Sequence, residues 1–263
     1  MDKSKNGKPK YKDNQESDAL TLPHSIQKDQ PQSDQTDQPQ SLQPQKEKPR
    51  YTKGEEIFNA VSHIVGGSFG IVALVLLVTF SALNSLAPIA IFAATIYGIS
   101  LIAMYTMSSI YHFLRPNKAK KVFRILDHCG IYLTIAGTYT PVCLIALAGH
   151  WAGIVLISIV WGLSIGGIIL KSVGLKNKAV RVISLISYIA LGWCAVFVFP
   201  LLFDTFALGG ILFMIAGGVA FTVGAIFYLF GRKKKGIHSV WHLFVLAGTI
   251  LQFVSVFVYM ILQ

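Results

Sequence analysis

The stretch IVALVLLVTF, residues 71–80, is apolar on every side of a helix, and so is GIVLISIVWGL at residues 153–163. A soluble helix keeps a polar face and a barrel strand alternates polar with apolar residues, so neither structure suits these runs. Inside a bilayer the backbone must satisfy its own hydrogen bonds, which an apolar helix of roughly 20 residues does. Working outward from the two runs, seven such segments can be laid along the chain, at about 57–81, 87–111, 124–147, 151–171, 180–202, 208–230 and 239–262. The fold expected is all-α: a polytopic protein of the cell (plasma) membrane with seven transmembrane helices.

The chain is 53% hydrophobic overall although its first fifty residues are almost entirely polar, so the remainder is far more apolar than the average. Residues 1–52, rich in Gln, Pro, Asp, Ser and Lys, bury too little apolar surface to offset chain entropy. They are expected to form a disordered cytoplasmic tail with a tethering or regulatory role, ahead of a membrane domain at 53–263. The tail has no short apolar core of a secretory signal, so the first apolar segment is expected to remain as an anchor. Cys129, Cys143 and Cys194 fall inside predicted helices, without the even count of a disulfide framework, and read as buried thiols.

A net charge of +11 raises the question of nucleic acid, but the placement of the charges answers it. Lys and Arg occupy alternate connections only: Lys46 to Lys53 before the first segment, Arg115 to Arg124 after the second, Lys171 to Arg181 after the fourth, and the run 232–235 after the sixth. The positive-inside rule then puts the amino terminus in the cytoplasm and the carboxyl terminus outside. A count of six or eight segments would force a basic loop to the wrong face. The basic loops are expected to meet anionic lipid headgroups, and nucleic acid is not an expected partner.

With orientation assigned, polar residues gather in the cytoplasmic leaflet. Glu55, Asn59 and His63 make one stripe at i, i+4 and i+8; Ser108 and His112 share a face of the second helix; Asp127 and His128 open the third; His238 and His242, in HSVWH, open the seventh. Ionisable residues at membrane depth are costly and are retained for a function. His112, His238 and His242 are therefore the candidate metal ligands, with Asp127 at similar depth. Taken alone, His63 reads as a hydrogen-bonded interfacial residue, and His150 in an outer turn as solvated. His128, about 100° around the helix from Asp127, is expected to pack or bond elsewhere.

Three neutral imidazoles leave a tetrahedral Zn2+ one open position, where water is acidified to a pKa near 7. Asp127 is the candidate proton acceptor, and Ser108 the candidate group to polarise a substrate carbonyl. A substrate reaching a shallow intramembrane site comes from the bilayer, so membrane lipids are the expected partners and a lipid amide or ester with an acyl chain the expected substrate. The same spacing also suits a structural zinc that staples helices.

Other features read as structural. Gly66 with Gly70 and Gly162 with Gly166 are small pairs that permit close helix contact. Pro141 is expected to bend the third helix and Pro200 to end or bend the fifth. Trp151, Trp193 and Trp241 are expected at the interfaces.

The motifs EEIFNAVSH (55–63), SSIYHFLRP (108–116), RILDHCGIYLTIAGTYTP (124–141) and HSVWHLFVLAG (238–248) together resemble the hemolysin III proteins, the prokaryotic branch of the progestin and adipoQ receptor family. The resemblance covers residues 51–262. It implies a zinc ion near the cytoplasmic side held by His112, His238 and His242, with Asp127 and Ser108 beside it. It also implies that His63, in the pattern starting at Glu56, is not a ligand, and that Gln252 stands where many bacterial members carry histidine. Distant similarity to alkaline ceramidases implies a zinc-dependent hydrolase. A receptor-like or membrane-homeostasis protein with structural zinc, or the pore formation that the family name implies, are the alternatives; no charged lumen stripe favours the last.

Overall fold

The computed structural model describes residues 51–230 and 235–263. Seven spans are long and apolar enough to cross a membrane: Lys53–Leu83, Pro88–Phe113, Lys118–Ala146, Trp151–Gly174, Lys178–Thr205, Leu208–Leu229 and Ile237–Ile261. Their helices are α1 (Lys53–Leu83), α2 (Pro88–Phe113), α3 (Lys118–Pro141), α4 (Trp151–Gly174), α5 (Lys178–Gly192), α6 (Phe199–Thr205), α7 (Leu208–Phe230) and α8 (Ile237–Val256). The expected tail lies outside the described residues except for Tyr51 and Thr52. So does the basic run 232–235, except for Lys235.

Local chemistry sets the helix ends. Thr52 caps α1 through a reciprocal box: its hydroxyl accepts from the Glu55 amide at 3.2 Å, and the Glu55 carboxylate accepts from the Thr52 amide at 2.7 Å. Pro88 opens α2 at the position where its missing N–H costs nothing. Asn117 and Asn177 cap α3 and α5 through their side-chain oxygens. Gly236, at φ 79°, turns the chain into α8.

Three spans are irregular, the seventh only in a closing π turn over Phe257–Ile261. Pro141 ends the regular α3, and without its N–H the ladder widens into a π turn over Val142–Ala146, with the Leu147 amide donating to the Val142 carbonyl at 3.0 Å. In the fifth span the break falls earlier than Pro200. α5 stops at Gly192, a 3-10 segment runs over Cys194–Val198, and Pro200 sits harmlessly in the first turn of α6. The Tyr139 hydroxyl stitches this break, donating to the Gly192 carbonyl at 3.0 Å and accepting from the Ala195 amide at 2.8 Å.

Small residues decide how closely the helices approach. A side chain at Gly66 would collide with the Tyr105 ring, and Gly70 packs against the Ile102 backbone nitrogen, so this pair does join α1 to α2. Gly162 and Gly166 face open space and bring nothing together within the chain; Gly167, next along α4, receives the Tyr132 ring instead. The core runs between the helices through Leu77, Tyr97, Leu101, Tyr132, Val160 and Leu202. All three cysteines are free thiols, with Cys129 and Cys143 buried and Cys194 half-buried.

α1 packs tightly on α2 and α2 on α3, as α7 does on α8, whereas the seam between α1 and α8 is thinner. Two hydrogen bonds fasten that seam at its ends. The Gly236 amide donates to the Glu55 carboxylate at the start of both helices, and the Asn84 side-chain amide donates to the Ile261 carbonyl at 2.7 Å at the far end. The two helices are therefore parallel, and the start of α1 shares an end of the bundle with the start of α8.

Candidate metal centre

That shared end collects the histidines. His238 and His242 lie one turn apart on α8, so their rings stack on one face, and their Nε2 atoms stand 3.2 Å apart. His112, in the last turn of α2, approaches from across the seam with ring centroids 5.6 and 5.0 Å from theirs. One ligand nitrogen from each of the three lies within 4.8 Å of the others, and all three residues are buried. Tetrahedral zinc with Zn–N bonds of 2.0–2.1 Å holds its ligands about 3.3 Å apart, so the His238–His242 spacing suits one shared ion. Tyr51 closes the top, stacked on the His238 ring at 4.7 Å.

The tautomer of His112 also fits a metal. Its Nδ1 lies 2.6 Å from Glu56 Oε2, and an ionised carboxylate only accepts, so Nδ1 donates. The Nε2 lone pair is left facing the cluster, buried and without a hydrogen-bond partner. A carboxylate behind a ligating imidazole fixes its orientation and raises its basicity. Glu56 is itself held by Lys120, whose Nζ donates to Oε1 at 2.7 Å and to the Leu114 carbonyl at 2.9 Å. Glu56→Gln is expected to weaken metal binding roughly 10- to 100-fold in a chelator competition, and an unchanged affinity would remove Glu56 from this role.

The stripe expected from α1 is thereby corrected. Glu55 is occupied by the helix cap and by Gly236, and Glu56, one residue further around, reaches His112. Asn59 and His63 do point inward. His63 stands 3.8 Å from the His242 ring, yet it is not one of the three residues with clustered ligand atoms. The polar side-chain atoms of both Asn59 and His63 are buried with no hydrogen-bond partner.

Asp127 and Ser108 line one cavity together with His63, His238 and His242. Ser108 is 1% exposed with its hydroxyl close to the Asp127 carboxylate, and the Asp127 side chain keeps 17% exposure. His128 does not bond elsewhere as expected. Its Nδ1 turns back to Asp127 Oδ2 at 3.2 Å, and its carbonyl accepts from the Tyr188 hydroxyl at 2.8 Å. Adjacent helical residues diverge at Cβ, yet these two side chains meet.

The cavity measures about 150 Å³ and follows α8 from His238 to Gln252, a rise of roughly 20 Å at 1.5 Å per residue. Its walls away from the histidine end are largely apolar, including Ile131, Ile135, Leu185, Phe221 and Val245. Trp193 and Trp241 line it rather than sitting as interfacial anchors; Trp193 donates to Thr222 Oγ1 at 3.0 Å. Trp151 alone of the three expected anchors is broadly exposed, at 76%. Gln252 closes the far part, its amide donating to the Met214 carbonyl at 3.0 Å.

Seven membrane-spanning helices around a buried three-histidine cluster that can hold a metal ion define the class: a multi-pass membrane protein with an intramembrane candidate metal site. Residues 51–253 match the family described as Haemolysin-III related, and the chain belongs to that family. It is 39% identical over 207 residues to Hemolysin-3 of Bacillus cereus, covering 79% of this chain and 92% of that one. It is 36% identical over 209 residues to the Hemolysin-3 homolog of Bacillus subtilis strain 168, covering 80% and 96%. A human relative, Monocyte to macrophage differentiation factor, is 27% identical over 180 residues, covering 64% of this chain and 70% of its own.

Proposed function

We propose that this chain is a zinc-dependent hydrolase that cleaves an amide or ester of an acyl lipid, with its histidine end facing the cytoplasm. One observation carries the reading: His238 and His242 of the histidine cluster line one end of an elongated, largely apolar cavity together with Asp127 and Ser108. An imidazole set suits zinc, and zinc held by three histidines supplies an open coordination position and water of pKa near 7. Asp127, open to the cavity, takes or directs a proton there. Ser108, beside Asp127, offers its hydroxyl to a substrate carbonyl. The acyl chain fills the groove towards Gln252, which leaves the histidine end to the scissile bond and the water that hydrolysis consumes. α5 and α7 both line the cavity and touch each other little, which leaves a lateral way in from the bilayer. Orientation rests on Arg115, Lys118, Lys120, Lys121, Arg124, Lys171, Lys176, Lys178 and Arg181, all at the histidine end.

The test is fatty-acid release by purified, zinc-loaded protein from a panel of acyl amides and acyl esters in neutral detergent. Release that stops on chelation and returns with zinc is expected. Retained zinc with no product from any of the panel sinks the enzyme reading and leaves the metal as a brace. Lysis, which the names of the Bacillus relatives suggest, would instead appear as red-cell leakage indifferent to Asp127.

A further inference from the structure

The basic loops are expected to meet headgroups, but Lys171, in the last turn of α4, is only 2% exposed. It lines the cavity, as does Arg181 in the first turn of α5. Arg124, on α3, and Arg181 are the cations close enough to act on Lys171, and Lys171 and Arg124 also act on His128. Three cations from three helices thus gather, Lys171 and Arg181 on the cavity wall and Arg124 close to Lys171 and His128. The Nε atoms of Arg124 and Arg181 are buried with no hydrogen-bond partner; Arg181 spends one Nη1 donor on the Lys176 carbonyl at 2.8 Å.

Among the described residues no carboxylate pairs with any of the three. Asp127 is taken by His128, and Glu56 by His112 and Lys120. The Lys171 ammonium lies over the Tyr188 ring, 5.9 Å from its centroid. Like charges gathered at low dielectric without a counter-ion are costly, and a buried cation is tolerated when an anion completes it. A phosphate monoester carries a charge of about −1.5 to −2 at neutral pH and accepts the forked donors of a guanidinium, which suits a set of three cations better than a single carboxylate does.

We propose that Arg124, Lys171 and Arg181 form a seat for a phosphate group, carried by a lipid whose acyl chain occupies the cavity. The acyl placement rests on the lipid reading given above; the phosphate seat does not. In terms of substrate class, this narrows the acyl lipid to one with a phosphate-bearing headgroup.

The test is equilibrium binding to the full-length, purified protein, with no turnover required. Three probes are compared: a single-chain oleoyl glycerol phosphate, the uncharged oleoyl glycerol, and inorganic phosphate. The phosphate lipid is expected to bind roughly tenfold or more tightly than its uncharged counterpart, since hydrogen bonds to charged groups discriminate on that scale. Lys171→Met and Arg181→Gln should each erase that preference while leaving binding of the uncharged lipid unchanged. Arg181 lies at a helix end, so its variant keeps the test open if Lys171→Met does not fold. Equal affinity for the two lipids, or a preference that survives both variants, overturns the proposal. Inorganic phosphate binding as tightly as the phosphate lipid overturns the lipid source and leaves a site for the free ion. If phosphate binds and neither lipid does, the acyl reading fails while the seat stands.

Discussion

Purified His242→Ala protein is expected to contain less than a tenth of the metal that the wild type holds. His242 is 1% exposed and its Nε2 faces the Nε2 of His238 at 3.2 Å, so the substitution leaves two ligands on opposite sides of the α1–α8 seam. Zinc sites in proteins rest on three or four protein ligands, and binding free energy at a buried site is folding free energy as well. The thermal transition in detergent should therefore fall together with the metal content. His242→Gln, closer in volume, separates loss of a ligand from loss of packing and should also lack metal. His150→Ala, in an exposed turn before α4, is the control that retains it. Elemental analysis that finds stoichiometric metal in both His242 variants would take His242 out of the ligand set.

Asp127→Asn is expected to behave in the opposite way, keeping the metal and losing 10²- to 10⁴-fold in turnover of a lipid amide or ester, the range for a positioned acid or base. Asn keeps the shape of Asp127 and can still meet His128 Nδ1, but it cannot accept a proton. The retained metal is the discriminating readout. If zinc leaves together with the activity, Asp127 is holding the site together; if neither changes, Asp127 has no part in the chemistry.

Much of this arrangement is legible in the sequence, and the reason is depth. A bilayer makes every polar residue conspicuous, so helix count, the His238–His242 spacing and the level shared with His112 can be read from hydropathy and charge alone. What periodicity cannot supply is what each helix face turns towards. Glu55 and Glu56 are adjacent and chemically alike, and only the cap made with Thr52 decides that Glu56 is the one turned to His112. The His128–Asp127 contact depends on rotamers, which spacing does not encode. Gly162 and Gly166 have the pattern of a packing pair, but the neighbouring helix lies over Gly167. The burial of Lys171 was hidden for a related reason, since a lysine at the end of an apolar run reads as a snorkelling residue until the helices around it are in place.

The thin seam between α1 and α8 gives the histidine cluster a mechanical meaning. α1 to α3 form one tightly packed group and α7 with α8 another, and the described hydrogen bonds between α1 and α8 sit at the two extremities of the seam. His112 belongs to the first group, and His238 and His242 to the second. An ion bound by all three would act as a rivet near one end of a joint whose other fastenings are the bonds at its tips, the hydrogen bond from the Tyr105 hydroxyl to Thr249 Oγ1 at 2.9 Å and the Phe69–Phe253 ring contact. Pulling it out would loosen that end of the joint first, while the Tyr105–Thr249 bond still tied the two blocks together.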